Sequence, residues 1–151
     1  MKLILLVEDS RFLRMANERA LVKAGYSVIT ACDGEEALLI AYARIPDLIL
    51  LDMLLPKLGG VQVLHALRSN AATALIPVIV LSSLPQKNEN RLKKEGATAY
   101  FEKSQLDMGQ HSESLISIVK RTLDGFTEHN GQAVPPGEGL SSSPYVRERQ
   151  T

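Results

Sequence analysis

Five short apolar runs alternate with longer stretches whose apolar residues recur every three or four positions, and this alternation fills the first 125 residues of the chain. Strand-length runs occupy residues 2–7, 47–51 and 77–81, with weaker ones at 27–30 and 97–102. Helical stretches come after each of them: residues 10–24 ending at Gly25, 34–44, 60–69, 86–95 ending at Gly96, and 108–123. In the first helix Leu13, Ala16, Ala20, Leu21 and Ala24 fall on one side, which is expected to be buried. Strands that are apolar on both faces belong in a parallel sheet covered by helices on both sides. The pattern therefore predicts an α/β, doubly wound (βα)5 fold with a five-stranded parallel sheet. In that architecture ligands bind just beyond the carboxyl ends of the strands.

Residues 131–144 are mostly Gly, Pro and Ser, too poor in large apolar groups to offset the entropy of ordering them. The chain is thus expected to divide into one domain over residues 1–125 and a flexible tail over 126–151. Lys and Arg number 17 and Asp and Glu 17, so no net field draws the chain toward nucleic acid or an anionic membrane. No apolar stretch approaches the ~20 residues of a membrane-spanning helix, and the run at residues 3–7 is too short for a secretory signal. A cytoplasmic protein is expected. Cys32 is the single cysteine, which excludes an internal disulfide and a cysteine-cluster metal site.

The chemistry sits where the predicted strands end. The first runs into Glu8 and Asp9, the third into Asp52, the fourth into Ser82 and Ser83, and the fifth delivers Lys103. If those strands are neighbours, three carboxylates, a hydroxyl and an ammonium share one pocket. Clustered carboxylates repel one another and stay ionised only around a cation, and an all-oxygen set suits Mg²⁺ better than zinc. With a phosphate oxygen held beside it, one carboxylate becomes the nucleophile of an in-line phosphoryl transfer while Lys103 neutralises developing charge. Glu8 and Asp9 taken alone would be read as a helix cap, and Lys103 as a solvated loop lysine. Their common position gives them a shared role.

Val7-Glu8-Asp9-Ser10, Asp33-Gly34-Glu35-Glu36-Ala37, the run from Pro46 to Asp52 with Pro56 and Gly59-Gly60, the run from Pro77 to Ser82, and Lys103 together resemble the receiver domains of bacterial two-component response regulators. The resemblance covers residues 1 to about 123. It implies the CheY-like, flavodoxin-like fold with strand order 2-1-3-4-5. It also implies that Asp52 is the phosphoacceptor and that Glu8, Asp9, Asp52 and the backbone carbonyl of Leu54 hold Mg²⁺, Glu8 mainly through water. Ser82 and Lys103 would bind the phosphoryl group, and Ser82 and Tyr100 would act as the switch pair. The implied partners are a histidine kinase or histidine phosphotransfer protein and a downstream protein target, with no nucleic acid and no membrane; homodimerisation on activation is left open. The donor would dock on the first helix, where Phe12 lies off the apolar stripe. The chain would be a phosphoacceptor signalling protein, catalysing only its own phosphotransfer and slow dephosphorylation.

Two features depart from the family pattern. Lys103 is followed by Ser104 where most receivers have proline. Leu54 and Leu84, two residues beyond Asp52 and Ser82, stand at positions that influence the hydrolytic water, and neither side chain can hydrogen-bond it. Slow loss of the phosphoryl group is expected. The stretch at residues 86–95 carries six charged residues and only Leu92 as a large apolar anchor, so it is expected to be loosely held and to respond to phosphorylation. His65, His111 and His129 share no metal-ligand spacing. A haloacid-dehalogenase-like phosphatase would want an acid at Leu54, and a nucleotide-binding module would need a glycine-rich turn after the first strand. The competing reading is a receiver-like scaffold that works without phosphorylation.

Overall fold

Each apolar run becomes a strand of one sheet. The computed structural model describes residues 1–82, 89–103 and 108–131. Its strands are β1 (Leu3–Val7), β2 (Ser27–Ala31), β3 (Leu48–Asp52), β4 (Val78–Ser82) and β5 (Ala99–Glu102). Its helices are α1 (Arg11–Lys23), α2 (Gly34–Arg44), α3 (Gly60–Ser69), α4 (Glu89–Lys94) and α5 (Met108–Gly131). The strands are parallel in the order β2-β1-β3-β4-β5, the doubly wound topology expected from the sequence.

The three central strands are buried on both faces because successive side chains enter different cores. Leu5, Val7, Ile49, Leu51, Val78 and Val80 meet Ala37 and Ala41 of α2 and Val63, Leu64 and Leu67 of α3. Ile4, Leu6, Leu48, Leu50, Ile79 and Leu81 meet Leu21 of α1 and Leu115, Val119 and Leu123 of α5. Burying each Leu, Ile or Val stabilises the fold by roughly 1.5–3 kcal/mol, so β1, β3 and β4 form a stiff frame for the residues at their carboxyl ends. Their registry is close to level: Val7 pairs with Leu51, Asp52 with Leu81, and Ser82 with Glu102.

Helix starts are fixed locally. Ser10 Oγ accepts the Leu13 amide at 3.3 Å, and Asp33 Oδ1 accepts the Glu36 amide at 2.8 Å, each satisfying a donor that the first turn leaves free. At α3 the start is set by contact. The Gly60 amide donates to the Met53 carbonyl at 3.1 Å, and a Cβ on Gly60 would lie 2.8 Å from Met53 Cα and 2.9 Å from the Asp52 carbonyl oxygen. Only glycine allows the helix to sit this close to the end of β3.

Three details differ from the sequence expectations. On α1 the buried residues are Asn17 and Leu21, whereas Ala24 is the exposed C-cap. A stripe drawn from small alanines points only loosely to the buried face, and it passed over a buried amide. The helix predicted over residues 108–123 continues as α5 to Gly131, with no proline before Pro135 to stop it. Of the helix predicted over 86–95, residues 86–88 lie outside the described residues, and α4 spans Glu89–Lys94. No helix among the described residues is long and apolar enough to cross a membrane.

Candidate functional site

The carboxyl edge of the sheet brings the predicted acids together. Asp52 is the last residue of β3 and only 4% exposed, Glu8 directly follows β1 and is 1% exposed, and Asp9 beside it is exposed. Each of the three offers a carboxylate oxygen, and the three oxygens lie within 4.8 Å of one another. Ser82, buried at the end of β4, and Lys103, just after β5, complete the set. The Lys103 amide donates to the Ser82 carbonyl at 2.7 Å, which ties the lysine's backbone to the neighbouring strand end.

Lys103 reaches across the sheet end to the acids. Its Nζ lies 3.1 Å from Glu8 Oε1 and 3.4 Å from Asp52 Oδ2. Glu8 Oε2 also accepts the Ser10 amide at 3.2 Å, and Asp52 Oδ1 accepts the Leu54 amide at 3.4 Å. Burial pushes the Glu8 carboxyl above its ordinary value and the neighbouring Asp52 charge pushes the same way, against the pull of Lys103 and the Ser10 amide. Among the described residues one ammonium thus pairs with the two buried carboxylates, and the third, Asp9, lies beside them without an ion pair. A further cation would relieve that excess, and an all-oxygen donor set fits a hard divalent ion such as Mg²⁺.

Of the other predicted positions, Tyr100 is buried in the core shared with Leu92 and Ala97, the inward place for that side chain. Leu54 is 68% exposed beside Asp52, so the approach to the acid has an apolar rim. Leu84, Ser83 and Ser104 lie outside the described residues. His65 is exposed and contacts Glu95; the side chains of His111 and His129 lie outside the described residues.

Some contacts were not visible in the sequence. Arg14 of α1 donates to the carbonyls of Glu8 and Asp9, and Arg68 of α3 donates to the carbonyls of Ala74, Ile76 and Gly96. A spacing of five and six residues back to the loop is a weak cue for the first, and nothing local marks the second. Cys32, Asp33 and Glu36 also bring possible ligand atoms within 4.8 Å of one another. These atoms have structural work: Asp33 caps α2 and pairs with Lys57 at 3.5 Å, and Glu36 Oε1 accepts the Cys32 amide at 2.8 Å.

Comparison with known proteins settles the family. The response regulator receiver domain matches residues 4–112. The chain belongs to the receiver-domain family. As a member it is a signalling domain of two-component systems, a family that works with histidine kinases and binds Mg²⁺ at an acidic pocket. This receiver is 48% identical over 126 residues to the gliding motility regulatory protein of Myxococcus xanthus, an alignment covering 82% of this chain and 15% of that one. It is 40% identical over 103 residues to the transcriptional regulatory protein PhoP of alkaline phosphatase synthesis in Bacillus subtilis, covering 68% of this chain and 42% of that one. The receiver therefore spans less than half the length of these two relatives. Protein PilG of Pseudomonas aeruginosa is nearer in size, 32% identical over 127 residues with 82% of this chain and 89% of that one aligned. Among solved structures, the chemotaxis response regulator CheY4 of Vibrio cholerae superposes with a TM-score of 0.73 at 29% identity, covering 81% of this chain and 98% of that one.

Proposed function

We propose that this receiver is a phosphorylation switch whose Asp52 accepts a phosphoryl group from the phosphohistidine of a histidine kinase or phosphotransfer protein. The observation that carries the reading is the placement of Lys103 Nζ, 3.1 Å from Glu8 and 3.4 Å from Asp52, over a buried carboxylate at the end of the central strand. An Asp52 oxygen attacks phosphorus, the O–P bond forms, and the N–P bond breaks with its electron pair going to the departing imidazole. Lys103 compensates charge on the phosphoryl oxygens, and the Leu54 amide steadies the other Asp52 oxygen. Glu8, Asp9, Asp52 and the Leu54 carbonyl are the groups to hold Mg²⁺, which when bound supplies positive charge to the transferring phosphoryl group. Ser82 and Tyr100 form the readout, and α4, tied by few apolar contacts beyond Leu92, is the element that shifts. The leucine at position 54, with Leu84, slows hydrolysis because neither side chain can orient a water.

The outer face of α1 supports donor docking. Phe12, Met15 and Val22 are exposed at three- and seven-residue spacings, and Phe12 is 69% exposed. Arg11, Arg19 and Lys23 surround them, so the complementary partner is a helix with apolar anchors and acidic flanks. Signalling by protein contact, a cytoplasmic location, and the division into a domain over 1–125 and a tail over 126–151 belong to the same proposal.

Intact-protein mass after incubation with acetyl phosphate and Mg²⁺ tests it. A phosphate-sized gain that is lost in Asp52→Ala and on chelation is expected. No gain from acetyl phosphate or from phosphohistidine donors would favour a phosphorylation-independent scaffold.

A further inference from the structure

The three acids of the site are not held alike. Glu8 is fixed by Lys103 and the Ser10 amide, and Asp52 by Lys103 and the Leu54 amide. The Asp9 carboxylate is exposed and has no hydrogen bond or ion pair among the described residues. Among the described residues, what constrains where it can reach is the backbone that carries it, through the Cα–Cβ direction. That backbone is gripped from α1: Arg14 Nη1 donates to the Glu8 carbonyl at 2.9 Å and to the Asp9 carbonyl at 3.4 Å. These two carbonyls belong to the peptide planes on either side of the Asp9 Cα. One guanidinium nitrogen bonded to both restrains φ and ψ of Asp9, and with them the Cα–Cβ direction. The neighbouring bonds reinforce the grip, since the Glu8 amide donates to the Ala31 carbonyl at 3.0 Å and the Arg14 amide to the Ser10 carbonyl at 2.8 Å.

We propose that Arg14 is a positioning residue that aims the Asp9 carboxylate at the divalent cation. The inference rests on the proposed metal site and adds a residue that acts on the ligand only through the backbone. It also runs against simple electrostatics. A guanidinium close to a cation site repels the cation, so charge alone makes removal of Arg14 tighten Mg²⁺ binding, whereas loss of positioning makes it weaken. The sign of the change separates the two.

The test is Mg²⁺ affinity by titration calorimetry, with Mn²⁺ binding by electron paramagnetic resonance as a second readout, on wild type, Arg14→Ala, Arg14→Lys, Asp9→Asn and the Arg14→Ala/Asp9→Asn double variant. Arg14→Ala should weaken binding about tenfold, in the range typical of residues that orient metal ligands. Arg14→Lys, which keeps the charge but ends about one bond short of the Nη1 position that reaches both carbonyls, should fall on the weak side of wild type. Asp9→Asn should matter less once Arg14 is gone, because the two act through one ligand. Arg14→Ala binding as tightly as wild type or tighter would overturn the proposal, as would strict additivity or a loss of thermal stability with unchanged affinity. If Arg14→Ala does not fold, Arg14→Lys decides by the same comparison. Absence of Mg²⁺ binding in wild type would instead overturn the metal reading, and the inference with it.

Discussion

Replacing Lys103 by methionine removes the ammonium that faces both buried carboxylates and keeps most of the side-chain bulk. The two contacts it breaks, at 3.1 and 3.4 Å, are each worth about 5 kcal/mol of gross attraction at an effective dielectric of ~20. The net loss is far smaller, because bringing the lysine out of water opposed that attraction. Breaking a buried pair by removing one partner typically costs about 3–5 kcal/mol. The lysine side chain is 17% exposed and Glu8, whose carboxyl is already raised, can take up a proton, so we expect about 2–3 kcal/mol near pH 8. The pH dependence comes from Glu8. Its folded pKa is raised, chiefly by burial, above the ordinary 4.5, and Lys103 is one of the groups holding it down. Stability from this group is complete below 4.5 and is lost as pH rises through the folded value. In Lys103→Met that value rises further, so the same loss extends over a wider window and the gap between variant and wild type grows with pH. Urea unfolding near pH 5 and near pH 8 measures it, with Glu8→Gln in both backgrounds. Glu8→Gln should recover part of the loss. A gap that is equal at the two pH values, or no recovery by Glu8→Gln, would refute the assigned electrostatics.

Asn17 is buried with no hydrogen-bond partner for Oδ1 among the described residues, so Asn17→Leu should stabilise the fold by about 1 kcal/mol in urea unfolding; destabilisation would show that the amide has structural work in the core. Phe12→Ala should lower the rate of transfer from a phosphohistidine protein about tenfold while leaving labelling by acetyl phosphate unchanged, since only the former needs docking. Equal effects on both would place Phe12 in the chemistry or the fold. Leu54→Asn should hasten loss of the phosphoryl group several-fold by supplying a side chain that orients water, measured as the decay of the labelled mass.

The fold was legible because β1, β3 and β4 are apolar on both faces, a pattern that few architectures accept. The cluster at the strand ends was legible for a related reason: Glu8 and Asp52 each break an apolar run at the point where a strand must end, Asp9 follows Glu8 directly, and Lys103 comes just after the fifth run closes at Glu102. Asn17 was not, because helical periodicity counts apolar residues and a buried amide leaves no trace in it. Arg14 escaped for a different reason. Its partners are backbone carbonyls, and a hydrogen bond to main chain requires no particular residue type at positions 8 and 9. Arg68, whose partners at Ala74, Ile76 and Gly96 are likewise carbonyls, shows the same blindness on the far side of the molecule. The end of α5 was misjudged because glycine- and serine-rich composition begins to dominate only after residue 131.

The central claim is that the phosphoryl group passes to Asp52. Borohydride reduction of the protein after reaction with a phosphohistidine donor converts an aspartyl phosphate to homoserine, and peptide mass spectrometry then locates it. Homoserine at position 52, absent when Mg²⁺ is chelated or Asp52 is replaced by asparagine, is the predicted result. Homoserine elsewhere, or none under conditions where the donor phosphorylates another receiver, would contradict it.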